Sequence, residues 1–398
     1  MPRVLRIHNR LIVGGPVLNA LYLTKYMQPD FETLLVVGEK EPHEKSAAYL
    51  ADQLGIQYIT ISQMGRSINP VNDFSTYREL KKVIKSFKPD VVHTHAAKPG
   101  AVGRLAAANS NVPAIVHTYH GHVFHSYFNS LKTNFFINTE RFLGTRSDAI
   151  IAISEGQKRE LVEDFRIAPE QKFRVIQLGF DLNKFQTDQE AKRTKFRSEF
   201  GLADDEIAIS IIGRLVPVKN HYLFLKALKH VLNHTSKKVK AFIIGDGDTR
   251  ADLENVANEV GIKFSTQNDA SHPHPLVFTS WRSDVDFINA GSDIICLTSF
   301  NEGTPVSLIE AQAANKPIVS TRVGGIGDIV AEGKTALLAD VQDTETFCNH
   351  LLQLVEDDAL RQKLGSNSSQ YVTERFSYQR LVRDMKALYY ELLERKKK

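Results

Sequence analysis

Residues 4–27 read VLRIHNRLIVGGPVLNALYLTKYM, and this stretch contains the repeating unit of the fold. Its apolar start at 4–7 has the length and composition of a buried strand. The pair Gly14-Gly15 then allows a tight turn, and residues 17–27 show the 3.6-residue apolar spacing of a helix. The stretch therefore predicts a strand followed by a helix, the unit from which parallel α/β sheets are built.

The same unit recurs along the chain in two series, separated by the polar stretch 181–195. This predicts an α/β protein with two tandem Rossmann-like domains, over 1–180 and 181–374, and a C-terminal helix over 375–398 that is expected to cross back to the N-terminal domain. The segment 264–275 is predicted to be a loop. Predicted strands are 4–7, 33–37, 58–61, 91–94, 114–118, 149–153 and 174–178, then 208–212, 240–244, 276–279, 294–297 and 317–320.

Composition excludes several classes of protein. With 398 residues, 42% hydrophobic and 24% charged, the chain is neither disordered nor fibrous. Two cysteines, Cys296 and Cys348, cannot form a disulfide framework. We find no signal-peptide pattern and no run of 18 apolar residues, which predicts a cytoplasmic protein and leaves peripheral attachment to the inner face of the plasma membrane open.

Positive charge is concentrated in the first half of the chain. Residues 1–180 carry 22 Lys and Arg against 16 Asp and Glu, a net charge of +6, and the remainder carries −2. A solvated basic face and an anionic membrane surface as partner are both compatible with this asymmetry. The overall charge of +4 is too small to predict a nucleic-acid partner.

Glycines and cations follow predicted strands in both halves. Gly14 and Gly15 precede a helix, where backbone N–H groups can face an anion or a sugar, although a plain turn is the alternative. Arg214 and Lys219 lie in the segment GRLVPVKN at 213–220, just after the first strand of the second series. A guanidinium and an ammonium at that edge suit a diphosphate, and isolated surface charges are the alternative.

The most specific motif is FNEGTPVSLIEA at 300–311. Thr304 is predicted to cap a helix whose first residue is Pro305, so that Glu302 lies in the loop and Glu310 in the second turn. The helix terminus attracts phosphate, and carboxylates accept hydrogen bonds from sugar and ribose hydroxyls. The motif therefore fits a nucleotide sugar, with solvated acids at a helix start as the alternative.

Taken in order, these motifs resemble the retaining glycosyltransferases of family 4. That family has the GT-B fold, in which two Rossmann-like domains face each other across a cleft. The resemblance implies transfer of a sugar from a nucleotide sugar, expected to be a UDP-sugar, to a glycan or polyprenyl-diphosphate-linked acceptor in cell-surface polysaccharide synthesis. It spans nearly the whole chain, through the segments at 14–15, 93–95, 179–181, 213–220, 245–247, 302–310 and 324–325.

The resemblance also implies roles for individual residues. Glu302 would hold the hydroxyls of the donor sugar, and Glu310 the ribose. His120, in YHGH at 119–122, matches the segment in which a histidine touches the donor sugar, and we prefer it to His122. The residues implied in donor binding are Gly14, Gly15, Arg214, Lys219, Gly303, Thr304 and Glu310, and the catalytic residues are His120 and Glu302. In the segments that recognise the nucleotide base in the family, Ser280-Trp281 and Asp328 depart from the family pattern.

No metal or further cofactor is expected. Six histidines between 93 and 125 could be mistaken for a zinc site, but they follow adjacent predicted strands, where His93 and His95 are expected to be packed with hydrogen-bonded rings. The acidic pairs at 246/248 and 284/286 are interpreted as a turn and a helix start. Arg214 and Lys219 can supply the positive charge instead.

The aromatic stretch 124–143 has two interpretations. It is expected either to pack in the core or to present Phe128, Phe135 and Phe136 on one helical face to a membrane or lipid acceptor. Two other functions are kept as alternatives to the transferase. One is a sugar-nucleotide 2-epimerase of the same fold, and the other is a non-catalytic subunit that binds a sugar nucleotide.

Overall fold

The structure is a computed structural model, and it describes residues 1–12, 14–41, 44, 46–65, 69–121, 130–266, 273–366 and 368–396. The chain divides into two compact units, which we call unit 1 (residues 1–180 and 376–398) and unit 2 (residues 181–375). Each unit contains a seven-stranded parallel sheet within the described residues. The predicted α/β class is therefore confirmed.

The strands of unit 1 form one sheet in which β1 and β4 are central neighbours. The sheet runs in the order β3-β2-β1-β4-β5-β6-β7 and every pair is parallel, where these strands are β1 (Arg3–Arg10), β2 (Glu32–Gly38), β3 (Tyr58–Ile61), β4 (Val91–His95), β5 (Ala114–Thr118), β6 (Ala149–Ala152) and β7 (Phe173–Val175). The strand order reverses between β1 and β4, which is the position where open α/β sheets bind ligands.

The sheet of unit 2 repeats this design with its own reversal point between β8 and β12. The order is β10-β11-β9-β8-β12-β13-β14, where the strands are β8 (Ile207–Ile212), β9 (Val239–Ile244), β10 (Phe264–Thr266), β11 (Leu276–Ser280), β12 (Ile294–Leu297), β13 (Ile318–Thr321) and β14 (Ala336–Ala339). Phe278 of β11 is fully buried and shares a core cluster with the fully buried Phe224 and Phe347.

Helices cover the faces of both sheets. In chain order they are α1 (Gly15–Tyr26), α2 (Ala48–Gln53), α3 (Pro70–Phe87), α4 (Ala97–Ala108), α5 (Ser130–Thr145), α6 (Glu155–Arg159), α7 (Gln189–Glu199), α8 (His221–His234), α9 (Arg250–Glu259), α10 (Val285–Gly291), α11 (Val306–Ala313), α12 (Ile326–Ile329), α13 (Thr344–Glu356), α14 (Asp358–Ser366), α15 (Ser368–Phe376) and α16 (Tyr378–Arg395). None of the helices in the described ranges combines the length and apolar character needed to cross a bilayer.

The last helix, α16, packs on the sheet of unit 1. Its Leu381, Leu388 and Leu392 recur at helical spacing and share a buried cluster with Val4 and Val91. This packing places α16 in unit 1, beside β1.

The predicted helix over 375–398 is present as α16 over most of its length, but the helical run that enters it from α15 is broken before Tyr378. Ser377 interrupts it in an extended conformation, and its hydroxyl caps α16 by accepting a hydrogen bond from the Arg380 amide. The Phe180 amide donates to the Phe376 carbonyl at 2.8 Å, and the Tyr378 amide donates to the Phe180 carbonyl at 3.0 Å. These two bonds replace intrahelical bonds, so the helix cannot continue through Ser377.

One expectation about local structure is wrong, and the polar stretch between the two series contains helical elements. The segment 264–275, predicted as a loop, begins with β10, which pairs with β11 through three residues. The polar stretch 181–195 contains a short 3₁₀ helix, Asn183–Phe185, and the first part of α7. These elements are too short or too polar to show a periodic apolar pattern.

Candidate active site

Two of the predicted donor-binding residues meet at the carboxyl edge of the unit 2 sheet. Lys219 ends a 3₁₀ helix, Pro217–Lys219, in the loop after β8, and Glu302 lies in the loop after β12. Since β8 and β12 are parallel neighbours, both loops leave the sheet at the same edge. The Lys219 Nζ lies 2.5 Å from the Glu302 Oε1, so the structure brings the two residues into direct contact.

Neighbouring groups fix Glu302 in place. The Ser299 hydroxyl donates to the Glu302 Oε1 at 2.5 Å, and the Gly325 amide donates to the Glu302 carbonyl at 2.9 Å. Gly324 has a φ of +50°, and a Cβ there would lie 1.9 Å from the same carbonyl oxygen, so only glycine fits. With 9% of its side chain exposed, Glu302 is a largely buried carboxylate that is ion-paired.

The loop that carries Lys219 is tied to the loop after β12 by backbone contacts. The Thr298 hydroxyl donates to the Lys219 carbonyl at 2.9 Å, and the Phe300 amide donates to the Val218 carbonyl at 2.8 Å. Arg214 lies in the same loop and is exposed, and the described residues provide it with no ion pair. Its guanidinium is therefore free to bind an anion.

The start of α11 differs from the prediction. The helix begins at Val306 with Pro305 in the cap position and no side-chain cap, so the expectation that Thr304 caps the helix is wrong. The ψ of Pro305 is 101°, which keeps that residue outside the helix. Gly303 is exposed, and a Cβ there would meet nothing within 4 Å. The Leu308 amide donates to the Pro305 carbonyl at 3.2 Å, and the N–H groups of Val306 and Ser307 point toward the N-terminal end of α11, which follows the loop that contains Glu302.

Glu310 lies in the second turn of α11. Burial raises the pKa of its carboxyl to about 7, Lys184 opposes that rise, and Asp286 adds to it. The carboxyl therefore exchanges its proton near neutral pH. In both protonation states it can accept a hydrogen bond from a hydroxyl group.

In unit 1, the two predicted glycines open α1. Gly14 occupies the cap position and Gly15 is the first helical residue, while the Gly14 carbonyl accepts a hydrogen bond from the Val17 amide at 3.2 Å. No side chain caps this helix start. Pro16 has no N–H, and the Val17 and Leu18 amides both donate to the Gly14 carbonyl, so within the described residues the Gly15 N–H is the group of the first turn that these bonds leave for a ligand.

His120 follows β5 at the carboxyl edge of the same sheet. The preceding residue, Tyr119, donates its hydroxyl to Glu140, which also accepts a hydrogen bond from Arg104 at 2.6 Å. The His120 Nε2 lies 2.9 Å from the His95 Nδ1. Burial lowers the pKa of His120 to about 3, so its ring is neutral at physiological pH. The alternative residue at position 122 lies outside the described residues.

His93 and His95 are buried with hydrogen-bonded rings, as the sequence predicts. The His93 Nε2 lies 2.7 Å from the Thr118 hydroxyl, and Arg6 Nη1 lies 2.9 Å from the His93 Nδ1. Sequence reasoning missed Arg6 and its neighbour His8. The sequence contained an indication of this pair. Arg6 and His8 stand at positions i and i+2 of an apolar strand, so their side chains point to the same face of the sheet.

The acidic pair at 284/286, interpreted from the sequence as a helix start, lies at the start of α10 and forms ion pairs. The Asp284 carboxylate accepts from the Arg282 Nε at 2.9 Å, and Asp286 lies 3.0 Å from the Lys192 Nζ. Within the described ranges, no three His, Cys, Asp or Glu side chains are grouped so that they could hold a metal ion.

The exposed aromatic residues of α5 differ from the predicted set. Phe135 is 63% exposed, whereas Phe136 is partly buried against a core cluster that includes Ile137. The expectation that Phe135 and Phe136 share one face is wrong, because consecutive helical residues point about 100° apart. Phe142 is also exposed, with the Arg146 guanidinium 3.6 Å from its ring centroid. Position 128 lies outside the described residues.

Two family models match consecutive parts of the chain. Residues 13–184 match the model described as Glycosyltransferase Family 4, and residues 192–371 match the model described as Glycosyl transferases group 1. These matches cover most of both units. The chain therefore belongs to the family 4 glycosyltransferases and is a glycosyltransferase enzyme.

Individual relatives agree with this assignment. The chain is 28% identical over 364 residues to the Escherichia coli UDP-Gal:alpha-D-GlcNAc-diphosphoundecaprenol alpha-1,3-galactosyltransferase, covering 91% of this chain and 90% of that one. It is 27% identical to the capsular polysaccharide biosynthesis glycosyltransferase CapM of Staphylococcus aureus, covering 79% of this chain and 81% of that one.

Solved structures confirm the predicted GT-B fold. A glycosyltransferase from Rickettsia africae superposes with a TM-score of 0.81 at 20% identity, covering 98% of both chains. The Anabaena protein HepE, solved in complex with UDP, also gives a TM-score of 0.81, at 18% identity, covering 98% of this chain and 100% of that one. The 2-epimerase alternative gains no support from these comparisons.

The raised pKa of Glu310 predicts a pH-dependent stability difference. Between the ordinary glutamate pKa of 4.5 and the raised pKa of about 7, the folded state holds more protons than the unfolded state, so wild-type stability falls as pH rises through this window. We expect Glu310→Gln to gain stability relative to the wild type between about pH 5 and pH 8, by on the order of 2 kcal/mol. Melting temperatures at the two pH values measure this.

The matched control is Glu345→Gln, at an exposed glutamate of the same unit. We expect its melting temperature relative to the wild type to be the same at both pH values. A Glu310→Gln difference that is equally independent of pH would show that this carboxyl does not titrate near neutral pH.

Proposed function

We propose that this protein transfers a sugar from a UDP-sugar to a polyprenyl-diphosphate-linked glycan, with retention of anomeric configuration, in the synthesis of a cell-surface polysaccharide. The observation that carries the proposal is the contact between Lys219 and Glu302 at the carboxyl edge of the unit 2 sheet. A cation and a carboxylate side by side provide one group for a diphosphate and one for sugar hydroxyls.

The relatives support the choice of substrates. The E. coli relative is named for a UDP-galactose donor and a diphosphoundecaprenol acceptor, and CapM is named for capsular polysaccharide biosynthesis. HepE was solved with UDP bound. We propose the same classes of donor and acceptor for this chain.

Each residue of the unit 2 site has a proposed role. The exposed Arg214 and the Lys219 ammonium would bind the diphosphate, together with the N–H groups near Gly303 and Thr304 at the start of α11. Glu302 would accept hydrogen bonds from hydroxyls of the donor sugar, and Glu310 would bind the ribose. Because the leaving diphosphate gains negative charge as the glycosidic bond breaks, fixed cations and N–H groups stabilise the transition state.

Donor binding would rearrange the charges of this site. In the structure, Lys219 already neutralises the largely buried Glu302. A diphosphate brings two or more negative charges and would compete for the same ammonium, with Arg214 as the second cation. The contact between Glu302 and Lys219 would then weaken, and hydroxyls of the donor sugar would donate hydrogen bonds to the Glu302 carboxylate.

We also propose roles for residues of unit 1. Gly14 and Gly15 would let the backbone approach the donor, and His120 would contact the sugar near its reacting carbon. No metal or other cofactor is proposed, because the donor site already contains Arg214 and Lys219. A non-catalytic sugar-nucleotide-binding subunit is less consistent with a cation, a carboxylate and a neutral histidine all at sheet edges.

The proposal predicts the loss of transfer in two variants. Lys219→Ala and Glu302→Ala should each cost ~2–4 kcal/mol of transition-state stabilisation, as for a removed oxyanion donor. Release of free UDP and formation of glycosylated acceptor are measured in EDTA, since no metal is proposed. Lys334→Ala, at an exposed lysine of the same unit, is the control and should retain wild-type turnover.

Wild-type turnover in Lys219→Ala or Glu302→Ala at saturating donor would contradict the proposed site. Activity that disappears in EDTA and returns with Mn²⁺ would contradict the metal-independent reaction. A product with inverted anomeric configuration would contradict retention.

An enzyme with a lipid-linked acceptor must reach its substrate at a membrane surface. We propose that unit 1 provides the surface that binds the membrane. Residues 1–180 carry a net charge of +6, and α5 exposes Phe135 and Phe142 one heptad apart. Basic residues close to an anionic leaflet contribute about 1 kcal/mol each, and this attraction is screened by salt. Attachment would therefore be peripheral and reversible.

We expect the wild type to bind anionic liposomes at low salt and neutral liposomes much less. The double variant Phe135→Ser, Phe142→Ser should bind more weakly at unchanged melting temperature, because both side chains are exposed. Phe74→Ser removes an exposed aromatic residue from α3 and serves as the control. Co-sedimentation measures binding, and no binding of the wild type at low salt would favour a soluble acceptor.

A further inference from the structure

An arginine lies fully buried in the unit 1 sheet, with histidine and tyrosine side chains as its hydrogen-bond partners. Arg6, in β1, has no exposed surface, and in the described part of the chain it forms no ion pair. Its Nη1 lies 2.9 Å from the His93 Nδ1, 3.3 Å from the His95 Nε2 and 3.4 Å from the Tyr389 hydroxyl. Burying a cation without a counter-ion lowers the stability of the folded state. A contribution to stability therefore does not explain why an arginine occupies this position.

The arginine determines the direction of the hydrogen bonds that follow it. A guanidinium can only donate, so the His95 Nε2 accepts from Arg6. Burial lowers the pKa of His95 well below its usual value, so its ring is neutral and carries its single proton on Nδ1. That Nδ1 lies 2.9 Å from the His120 Nε2 and therefore donates to it.

The same logic assigns the proton of His120. Its Nε2 accepts from His95, so the neutral ring carries its proton on Nδ1. Among the described residues, no group accepts a hydrogen bond from the His120 Nδ1, although this atom is buried. His120 therefore offers a donor with no partner in the described protein, and its Nε2 is not free to act as a base.

We propose that Arg6 is a positioning residue that acts through His95 to hold His120 in the tautomer with its proton on Nδ1, so that His120 donates a hydrogen bond to an oxygen atom of the substrate. The role of His120 as a substrate contact rests on the proposed function. Arginine suits this task because it does not lose its proton in proteins, so the direction of the chain cannot reverse.

Arg6 could instead serve only to join α16 to the sheet through Tyr389. That role requires no particular tautomer of His120. The tautomer is therefore the property that separates a positioning role from a purely structural one, and it can be read without any substrate.

The experiment measures the tautomer of His120 by long-range ¹H–¹⁵N correlation in protein labelled with ¹⁵N-histidine, with signals assigned by single histidine substitutions. In the wild type we expect a protonated Nδ1 and an unprotonated Nε2. In Arg6→Met, His95 loses its fixed donor direction, and we expect His120 to populate the form protonated on Nε2. A wild-type His120 protonated on Nε2, or unchanged His120 signals in Arg6→Met, would overturn the proposal.

Two substitutions of His95 give a matched test should Arg6→Met fail to fold. In His95→Asn the side-chain amide nitrogen takes the place of Nδ1 and can donate to His120 without help from Arg6, so the wild-type tautomer should persist. In His95→Gln the amide takes the place of Nε2 and leaves no donor next to His120, so the tautomer should change. The same result in both variants would overturn the proposal. Tyr389→Phe is the control, because it removes a hydroxyl that contacts His93 and Arg6 but not His95.

Kinetics keep the failure of this inference separate from that of the proposed function. We expect Arg6→Met to lower kcat about 10- to 100-fold, the range found when groups that orient a metal-bound histidine are removed, with a smaller effect on KM. If His120→Ala transfers sugar as fast as the wild type, the proposed contact of His120 is wrong whatever its tautomer. If the tautomer of Arg6→Met is unchanged while His120→Ala is inactive, only the role of Arg6 is wrong.

Discussion

The parallel pairing of β8 with β12 is the constraint on which the candidate donor site depends. Ile209 pairs with Ile294 and Ile211 with Cys296, so the loops after these two strands start side by side. Lys219 and Glu302 are 83 residues apart in sequence and touch only because of this pairing. Gly324 and Gly325 then pack on the backbone at Glu302 and Gly303, where a Cβ would clash.

Electrostatics in this site are balanced before any ligand arrives. Glu302 is paired with Lys219, whereas Glu310 has no ion-pair partner among the described residues and its pKa is raised by burial to about 7. A donor diphosphate would shift the balance toward Arg214 and Lys219, since phosphate oxygens are strong hydrogen-bond acceptors. The two glutamates, eight residues apart, are therefore in different electrostatic states. Unit 1 shows the opposite arrangement, in which a buried cation, Arg6, is surrounded by neutral rings.

Sequence patterns predicted the sheets well, because buried parallel strands are continuous apolar runs that alternate with helical periodicity. They missed β10 and β14, which contain three and four residues. The break at Ser377 could not be predicted, since it depends on hydrogen bonds to Phe180. The start of α11 was misplaced because Pro305 adopts an extended ψ that its sequence context does not reveal.

The candidate site was predicted in part. Lys219 was predicted from its position after a strand and Glu302 from the motif at 300–311, and the structure adds their contact and the support from Ser299. The hydrogen-bond chain from Arg6 to His120 was not predicted, because it requires the register of β1 with β4, in which Arg6 pairs with His93. The roles of all these residues in sugar transfer remain predictions.

Hydrogen exchange with and without UDP tests the central claim most directly, since a ligand that binds the native state slows exchange where it stabilises the backbone. Placing the donor nucleotide at the carboxyl edge of the unit 2 sheet predicts slower amide exchange in 213–220 and 299–311 on addition of UDP, and loss of this protection in Lys219→Ala. Protection confined to residues 1–180, or no protection at saturating UDP, would contradict it.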